Sequence, residues 1–147
     1  RRSDLMLPNS NLLTTYIDED VYPTRTYRVR LLGNENSTSP VYLNKVSGYT
    51  DGIDAIKQTI YFILGTERYE YLIYSWDYGI ELQDLFGKPM PYVIAEIKRR
   101  ITEALTMDDR ITDVVDFQFE RNREILHVTF SVVSTLGNIP TELEVDI

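Results

Sequence analysis

Acidic and aromatic side chains are concentrated in one stretch of the sequence, TERYEYLIYSWDYGIELQDLFGKP, which runs from Thr66 to Pro89. Aromatic rings bind the faces of sugars, and two carboxylates about 5–9.5 Å apart hydrolyse glycosidic bonds when one of them has a raised pKa. The residues that could serve such a reaction are Glu67, Glu70, Asp77, Glu81 and Asp84, beside Trp76 and Tyr78. The chemistry that this stretch could perform is therefore the hydrolysis of a polysaccharide.

A protein-docking surface explains the same composition without catalysis. The chain holds 23 acidic residues among 147, so a cluster of acids is expected by chance. Tyrosine and tryptophan combine an apolar ring with a polar tip, which suits anchoring contacts between proteins. We therefore predict a non-enzymatic protein without catalytic residues. A wall-degrading enzyme and a free-standing protein-binding module remain the alternatives.

Two arginines stand where a predicted helix gives way to a strand. Arg68 follows Glu67 after the first helix, and Arg110 follows Asp108 and Asp109 after the second. A guanidinium offers five donors in a rigid fork, so it can bind several carbonyls or a carboxylate at once. Each arginine is equally compatible with an internal ion pair that stiffens the corner and with a contact to another subunit.

The composition argues against several other classes of site. There is no cysteine and one histidine, His127, so metal sites and Ser-His or Cys-His catalysis have little material, and no metal or cofactor is predicted. A net charge of -8 repels phosphate backbones, which argues against nucleic acid as a ligand. No apolar run approaches the roughly 20 residues that cross a bilayer, and no secretion signal is recognisable, so synthesis in the cytoplasm is expected.

Hydrophobic periodicity predicts one α+β domain over residues 25–147, preceded by an extended N-terminal arm over residues 1–24. Helices are expected at 51–65 and 91–106, each with an apolar stripe, and a short helical turn at 80–86. The first helix has Thr50 or Asp51 as its N-cap and Gly65 at its stop. Strands are expected at 27–31, 41–46, 69–75, 115–119, 126–132 and 143–147. The order predicts a largely antiparallel sheet with both helices on one face.

The run DGIDAIKQTIYFILGTERYEYLIYSWDYGIELQDLFGKP, followed by a helix, MDDRI and a hairpin, resembles the baseplate wedge or sheath-initiator family of contractile phage tails. It is most similar to the branch found in prophages and phage-tail-like bacteriocins of Gram-positive bacteria. The resemblance covers roughly residues 26–135. Three family motifs fall on Thr66-Glu67-Arg68, Asp77-Tyr78-Gly79 and Asp108-Asp109-Arg110, although the first has Thr in place of Gly and the third keeps only the arginine of Glu-Pro-Arg.

The resemblance implies a structural protein of a phage or bacteriocin particle, located in the tail baseplate. Its implied partners are the tail sheath protein and the baseplate wedge proteins, with the tail tube or hub as a further candidate. Nucleic acid, membrane and small-molecule substrates are not expected. The residues predicted to bind partners are Glu67, Arg68, Trp76, Asp77, Tyr78, Asp108, Arg110, Leu143 and Val145.

The resemblance also implies that arms of the sheath protein add strands to this protein's sheet. An unpaired edge strand offers N–H and C=O groups to an extended peptide. The edges expected to receive the arm are Leu143 to Ile147 or Tyr27 to Leu31. On this hypothesis, Val145→Pro should block sheath polymerisation while leaving the domain folded.

Overall fold

A computed structural model describes residues 24–32 and 42–147. The predicted N-terminal arm, apart from Thr24, lies outside the described residues. The strands are β1 (Thr26–Leu32), β2 (Tyr42–Thr50), β3 (Ile111–Asn122), β4 (Ile125–Ser134) and β5 (Gly137–Asp146). The helices are α1 (Gly52–Leu64) and α2 (Met90–Thr106), with a 3-10 helix at Gln83–Leu85. Neither α-helix in this part of the chain is long and apolar enough to cross a membrane.

Helix α1 begins and ends at the signals that the sequence contains. The Asp51 carboxylate accepts the backbone N–H of Gly52 at 2.7 Å, which satisfies one of the free donors of the first turn. At the other end the Gly65 N–H donates to the Tyr61 carbonyl at 3.0 Å. Of the two predicted N-cap candidates, Asp51 is the one used, and the predicted stop at Gly65 is confirmed.

The two helices and the inner face of the β3-β4-β5 sheet share one core. Helix α2 is buried along a single stripe that includes Ile97, Ile101 and Leu105, which are all fully buried. The alternating residues of β4 that face this stripe are Leu126, Val128, Phe130 and Val132, each at most 3% exposed. Because both helices contribute to the same buried cluster, the predicted α+β class is confirmed.

The strands form two antiparallel sheets, so the sheet expected from the sequence is divided. One sheet has two strands, β1 and β2, and the other has three in the order β3-β4-β5. A β-bulge interrupts β3, because both Asp116 and Phe117 lie opposite Phe130, with Asp116 at a φ of 57°. The bulge brings Val114 and Phe117 to the helix side together, which a strict alternation of residues 115, 117 and 119 does not predict.

The predicted strand at 69–75 is wrong. These residues form successive turns, and Tyr69 has a φ of 69°, which lies outside the extended range of a regular strand. High β-propensity reflects packing against neighbouring strands, and here no strand of the described chain lies beside the segment. The short helical turn predicted at 80–86 is confirmed by the 3-10 helix at Gln83–Leu85.

Candidate interaction surface

The chain leaves α1 and comes back on itself, closing a loop whose residues 69–77 we call the aromatic loop. Its two ends are joined by backbone hydrogen bonds: Arg68 N–H donates to the Ile80 carbonyl at 3.1 Å, and Ile80 N–H donates to the Thr66 carbonyl at 3.0 Å. The Thr66 hydroxyl in turn donates to the Phe62 carbonyl at 2.7 Å. The loop is therefore a compact projection with a fixed base.

Arg68 holds this base from inside the protein. Its guanidinium donates twice to the Gly79 carbonyl, at 3.3 and 3.1 Å, and once to Glu103 of α2 at 3.4 Å. The side chain is 13% exposed. Of the two roles that the sequence left open, the structure shows the internal one, and a contact of Arg68 with another subunit stays a prediction.

Glu67 also binds backbone groups of its own chain. Its carboxylate accepts the N–H of Leu82 at 3.1 and 3.2 Å and the N–H of Gln83 at 3.3 Å, where the chain enters the 3-10 helix. Glu70 and Asp77 lie in solvent on the aromatic loop. The remaining two acids of the stretch pair with arginines, Glu81 with Arg68 and Asp84 with Arg100. Three of the five acids therefore make separate contacts with backbone or arginine, and the other two lie in solvent.

The rings of the aromatic loop pack on one another and leave much of their surface in solvent. Tyr74 stacks on Tyr78 with centroids 4.6 Å apart, and Trp76 lies 5.9 Å from Tyr69 while remaining 79% exposed. Tyr78 is half-buried against the core, and this burial raises the pKa of its hydroxyl. Tyr78 therefore anchors the loop, whereas Trp76 and Asp77 are free to meet another protein.

The tip of the aromatic loop was missed by sequence reasoning. Leu72 and Ile73 are 101% and 86% exposed at the centre of a turn closed by the Tyr74 N–H and the Tyr71 carbonyl at 3.2 Å. Turn centres usually carry Gly, Pro, Asn or Asp, and this turn contains none of them. In the sequence, two adjacent apolar residues among aromatics are also typical of a buried strand. This composition therefore does not reveal an exposed turn.

The second arginine corner follows α2. The Asp108 carboxylate accepts Arg110 Nε at 2.9 Å, Arg110 Nη2 at 2.6 Å and the Arg110 N–H at 3.0 Å. Arg110 Nη2 also donates to the Thr59 hydroxyl of α1 at 3.1 Å, and the two charged side chains are 16–17% exposed. The Arg110 guanidinium lowers the pKa of Asp108 below its ordinary value. The pair joins α1 to the start of β3, and a contact with another subunit stays a prediction.

Arg100 has a similar internal role. It donates to the Glu81 carbonyl at 2.8 Å, to Glu96 at 3.1 Å and to Asp84 at 2.9 Å, which ties the segment around the 3-10 helix to α2. Hydrogen bonds to Asp84 raise the pKa of Arg100, and its side chain is 11% exposed. The basic run Lys98-Arg99-Arg100 has the composition of a solvated helix face, and the spacing of Glu96 and Arg100 predicts an ion pair. The structure confirms the pair but places Arg100 largely away from solvent.

Strand β5 is an edge strand, and the two residues predicted there to bind partners face the core. Val145 is 4% exposed and Leu143 packs partly buried against the same cluster. The Ile147 N–H donates to the Glu124 carbonyl at 2.8 Å, which fixes the direction of the odd-numbered N–H groups toward β4. Val145 therefore donates to β4, and Val145→Pro would break the internal ladder and is not a selective test of the edge.

The even-numbered residues of β5 present the free edge. Their N–H and C=O groups point away from β4, and Pro140, which has no N–H, occupies one of these positions without cost to the ladder. Glu142, Glu144 and Asp146 follow with the same parity, and Glu144 contacts His127 of β4 at 3.0 Å. No strand in the described part of the chain pairs with this side of β5.

Part of the other predicted edge, Tyr27 to Leu31, is already hydrogen-bonded to a side chain of α1. The Val29 N–H donates to Gln58 Oε1 at 3.0 Å, and Gln58 Nε2 donates to the Tyr27 carbonyl at 2.9 Å. A side-chain amide has the same donor and acceptor pair as a peptide group, so Gln58 of α1 imitates one residue of a neighbouring strand. β5 is therefore the better candidate for an incoming strand.

Comparison with known proteins gives this surface a context. A profile of the contractile injection system sheath initiator family matches residues 31–137, which is more than half of the chain. The chain belongs to this family. It is also 44% identical over 94 residues to the phage-like element PBSX protein XkdS of Bacillus subtilis strain 168, an alignment that covers 62% of this chain and 67% of that protein.

Family membership supports a structural role in a contractile tail, and with it an association with the tail sheath and a place in a tail particle. The resemblance noted from the sequence is thereby confirmed. The matched region contains the aromatic loop and both arginine corners, and it ends at Gly137, the first residue of β5. The role of the β5 edge is therefore inferred from the structure of this chain and not from the family match.

Proposed function

We propose that this protein is a non-enzymatic baseplate component that joins the wedge to the first ring of sheath subunits and starts sheath assembly. In this proposal an extended arm of a sheath subunit adds to the outer edge of β5 by β-augmentation. The observation that supports it most directly is the outward N–H and C=O groups of Glu142 and Glu144, which have no strand beside them in the described chain. Residues 25–147 would form the folded unit and residues 1–24 an arm.

The charges beside this edge indicate the kind of strand that fits it. Glu142, Glu144 and Asp146 have exposed or half-exposed side chains on the face of β5 opposite the helices. Side chains directly opposite one another on paired strands interact, and opposite charges stabilise the pair while like charges destabilise it. The incoming arm should therefore carry lysine or arginine at alternate positions of its strand.

The contacts of Glu67 and Arg68 agree with the absence of a catalytic role. Both side chains hold backbone groups at the base of the aromatic loop. In the proposed assembly this loop and the Asp108-Arg110 corner face the wedge, and the edge of β5 faces the sheath. The tail tube or hub would be a further neighbour.

Glu142→Pro tests the edge without touching the internal ladder. The variant loses one outward N–H, and the proline ring stands where the incoming strand would lie, so we expect about a tenfold or greater fall in the number of particles with a complete sheath, equivalent to about 1.4 kcal/mol. The melting temperature should stay close to that of the wild type, because Glu142 does not donate to β4. Particles are counted by electron microscopy after induction.

Glu142→Ala is the matched control, since it removes the same carboxylate and keeps the N–H. We expect it to lower the particle count by no more than about fivefold, as one surface charge pair contributes less than about 1 kcal/mol. Normal sheaths with Glu142→Pro in a folded protein would refute β-augmentation at β5. Equal defects in both variants would assign the effect to charge alone.

A further inference from the structure

The tip of the aromatic loop exposes large apolar side chains, which contact with water alone does not favour. Leu72 and Ile73 occupy the two central positions of the turn closed between Tyr71 and Tyr74, and their side chains are 101% and 86% exposed. Two neighbouring aliphatic side chains at the outermost point of a projection are costly in water. Isolated exposed apolar residues are common, but the same short loop also exposes the rings of Tyr69 and Trp76, whose centroids lie 5.9 Å apart.

This surface is ordered before any partner arrives. The base of the loop is closed by the paired backbone bonds between Thr66, Arg68 and Ile80, and Arg68 donates to the Gly79 carbonyl. Above the base, Tyr71 packs edge-on against Tyr74, with centroids 6.2 Å apart. A preformed projection loses little conformational entropy on binding, which is the property of an anchor that inserts into a pocket.

The charges around the tip restrict what that pocket can be. Between residues 69 and 87 the sequence contains four acids and no lysine or arginine. Glu81 and Asp84 pair with Arg68 and Arg100, so the charges that the loop presents to solvent are those of Glu70 and Asp77. The nearest guanidinium in the sequence, that of Arg68, is directed inward to Gly79 and Glu103. An anionic membrane surface would repel this loop, whereas a protein pocket with basic residues at its mouth would attract it.

A second copy of this chain does not offer such a pocket at either of two surface depressions of the described residues. One, of about 450 Å³, is lined mainly by Thr24, Arg25, Thr59, Asp108 and Arg110. The other, of about 410 Å³, is lined mainly by Asp116, Gln118, Thr129, Ser131 and Glu142. Polar side chains dominate both, so neither is complementary to a leucine and an isoleucine.

We propose that Leu72 and Ile73 insert into an apolar pocket, edged by lysine or arginine, on a different protein of the same tail particle. Trp76 and Tyr69 cover the side of that contact, and Glu70 and Asp77 meet the basic edge. The inference rests on the proposed function in one respect, namely that the partner is sought within the particle. The surface itself is distinct from the edge of β5.

The direct test places the photo-crosslinker p-benzoylphenylalanine at Ile73 in particle-producing cells and identifies the attached peptide by mass spectrometry. We expect one major product, with an apolar peptide of another particle protein that has lysine or arginine close by in its structure. The control position is Leu136, which is 46% exposed in the turn before β5. Products with copies of this chain, identical products at both positions, or no product from protein that is present in particles would overturn the proposal.

The double variant Leu72→Ser, Ile73→Ser tests whether the contact is needed. Because both side chains are exposed, its melting temperature should match the wild type, while its amount in purified particles should fall by about tenfold or more. Leu136→Ser should enter particles normally. Equal incorporation of the two variants would overturn the inference and leave the proposed function intact, whereas absence of the wild-type protein from particles would contradict both.

Vesicle flotation separates a protein partner from a lipid one. Purified wild-type protein is mixed with vesicles of phosphatidylcholine and phosphatidylglycerol, and the floating fraction is compared with that of the double variant. We expect neither protein to float. Flotation of the wild type that is lost in the double variant would assign the tip to a membrane and overturn the proposal.

Discussion

Gly79→Ala is expected to destabilise this protein more than any other single-methyl change in the aromatic loop or at its base. Gly79 has a φ of 95°, and an added Cβ would lie 2.5 Å from the Thr66 carbonyl oxygen and 3.3 Å from its carbon. Both contacts are with backbone, and that carbonyl accepts the Ile80 N–H which closes the loop. Backbone strain and overpacking together should cost about 3 kcal/mol, or roughly 10 °C in melting temperature.

Gly87→Ala separates the two causes. Gly87 has a similar positive φ of 72°, but nothing lies within 4 Å of its added Cβ. It should cost only the conformational strain, about 1 kcal/mol or roughly 3 °C. Thermal unfolding followed by circular dichroism measures both. If Gly79→Ala melts within a degree or two of Gly87→Ala, the Thr66-Ile80 closure does not hold the loop as described.

The assembly phenotype of Gly79→Ala connects the loop base with the proposed docking tip. Displacing the Thr66 carbonyl would move the whole aromatic loop, because both of its ends depend on that bridge. The variant should therefore incorporate poorly into particles even at temperatures where it remains folded. The double variant Leu72→Ser, Ile73→Ser should also incorporate poorly, but without a loss of stability. Gly79→Ala thus tests whether the tip must be correctly placed, and the double variant tests whether its apolar side chains are needed.

Arg110→Ala is expected to lower the free energy of unfolding by about 2 kcal/mol, or roughly 6 °C in melting temperature. The substitution removes three side-chain hydrogen bonds at once and leaves the Asp108 carboxylate, 16% exposed, without its charged partner. It also disconnects Thr59 of α1 from the corner that begins β3. The sequence and the family resemblance predict a soluble, folded variant that fails to enter baseplates, whereas the observed contacts favour a loss of stability.

The effect of Arg110→Ala should depend on pH in a defined direction. Arg110 lowers the pKa of Asp108 in the folded protein, so the ionised carboxylate contributes stability above its unfolded pKa near 3.9, and this contribution is lost as the pH falls through the folded pKa. The difference between wild type and variant should be full at pH 7 and shrink below about pH 4. Urea unfolding at several pH values measures it.

Arg99→Ala is the matched control for Arg110→Ala. Arg99 also binds two carboxylates, Glu96 at 2.9 Å and Glu103 at 2.7 Å, but its side chain is 57% exposed. An exposed pair of this kind contributes less than about 1 kcal/mol. Equal losses in the two variants would show that the Asp108-Arg110 corner behaves as surface, and would return Arg110 to the role of a contact between subunits.

Local chemistry in the sequence was sufficient to identify much of the fold. Both helices, the cap at Asp51 and the stop at Gly65 follow from rules that act within a few residues. The hairpin of β3 and β4 follows from alternation, since a strand with one buried face must place its apolar side chains two residues apart. The family was recognisable because the long run around the aromatic loop is specific when it is taken whole.

Tertiary structure alone decided three matters on which the candidate surface depends. Tyr69 to Ser75 has the composition of a strand but finds no strand to pair with, because β-propensity describes packing that a neighbour must supply. Arg68 and Arg110 reach acceptors that are distant in sequence, Gly79 and Thr59, so their inward direction depends on how the chain returns. The N–H groups of β5 that remain free are those that do not donate to β4. Alternation in the sequence does not show whether the odd-numbered or the even-numbered residues donate, because the pattern of side chains is identical in both cases.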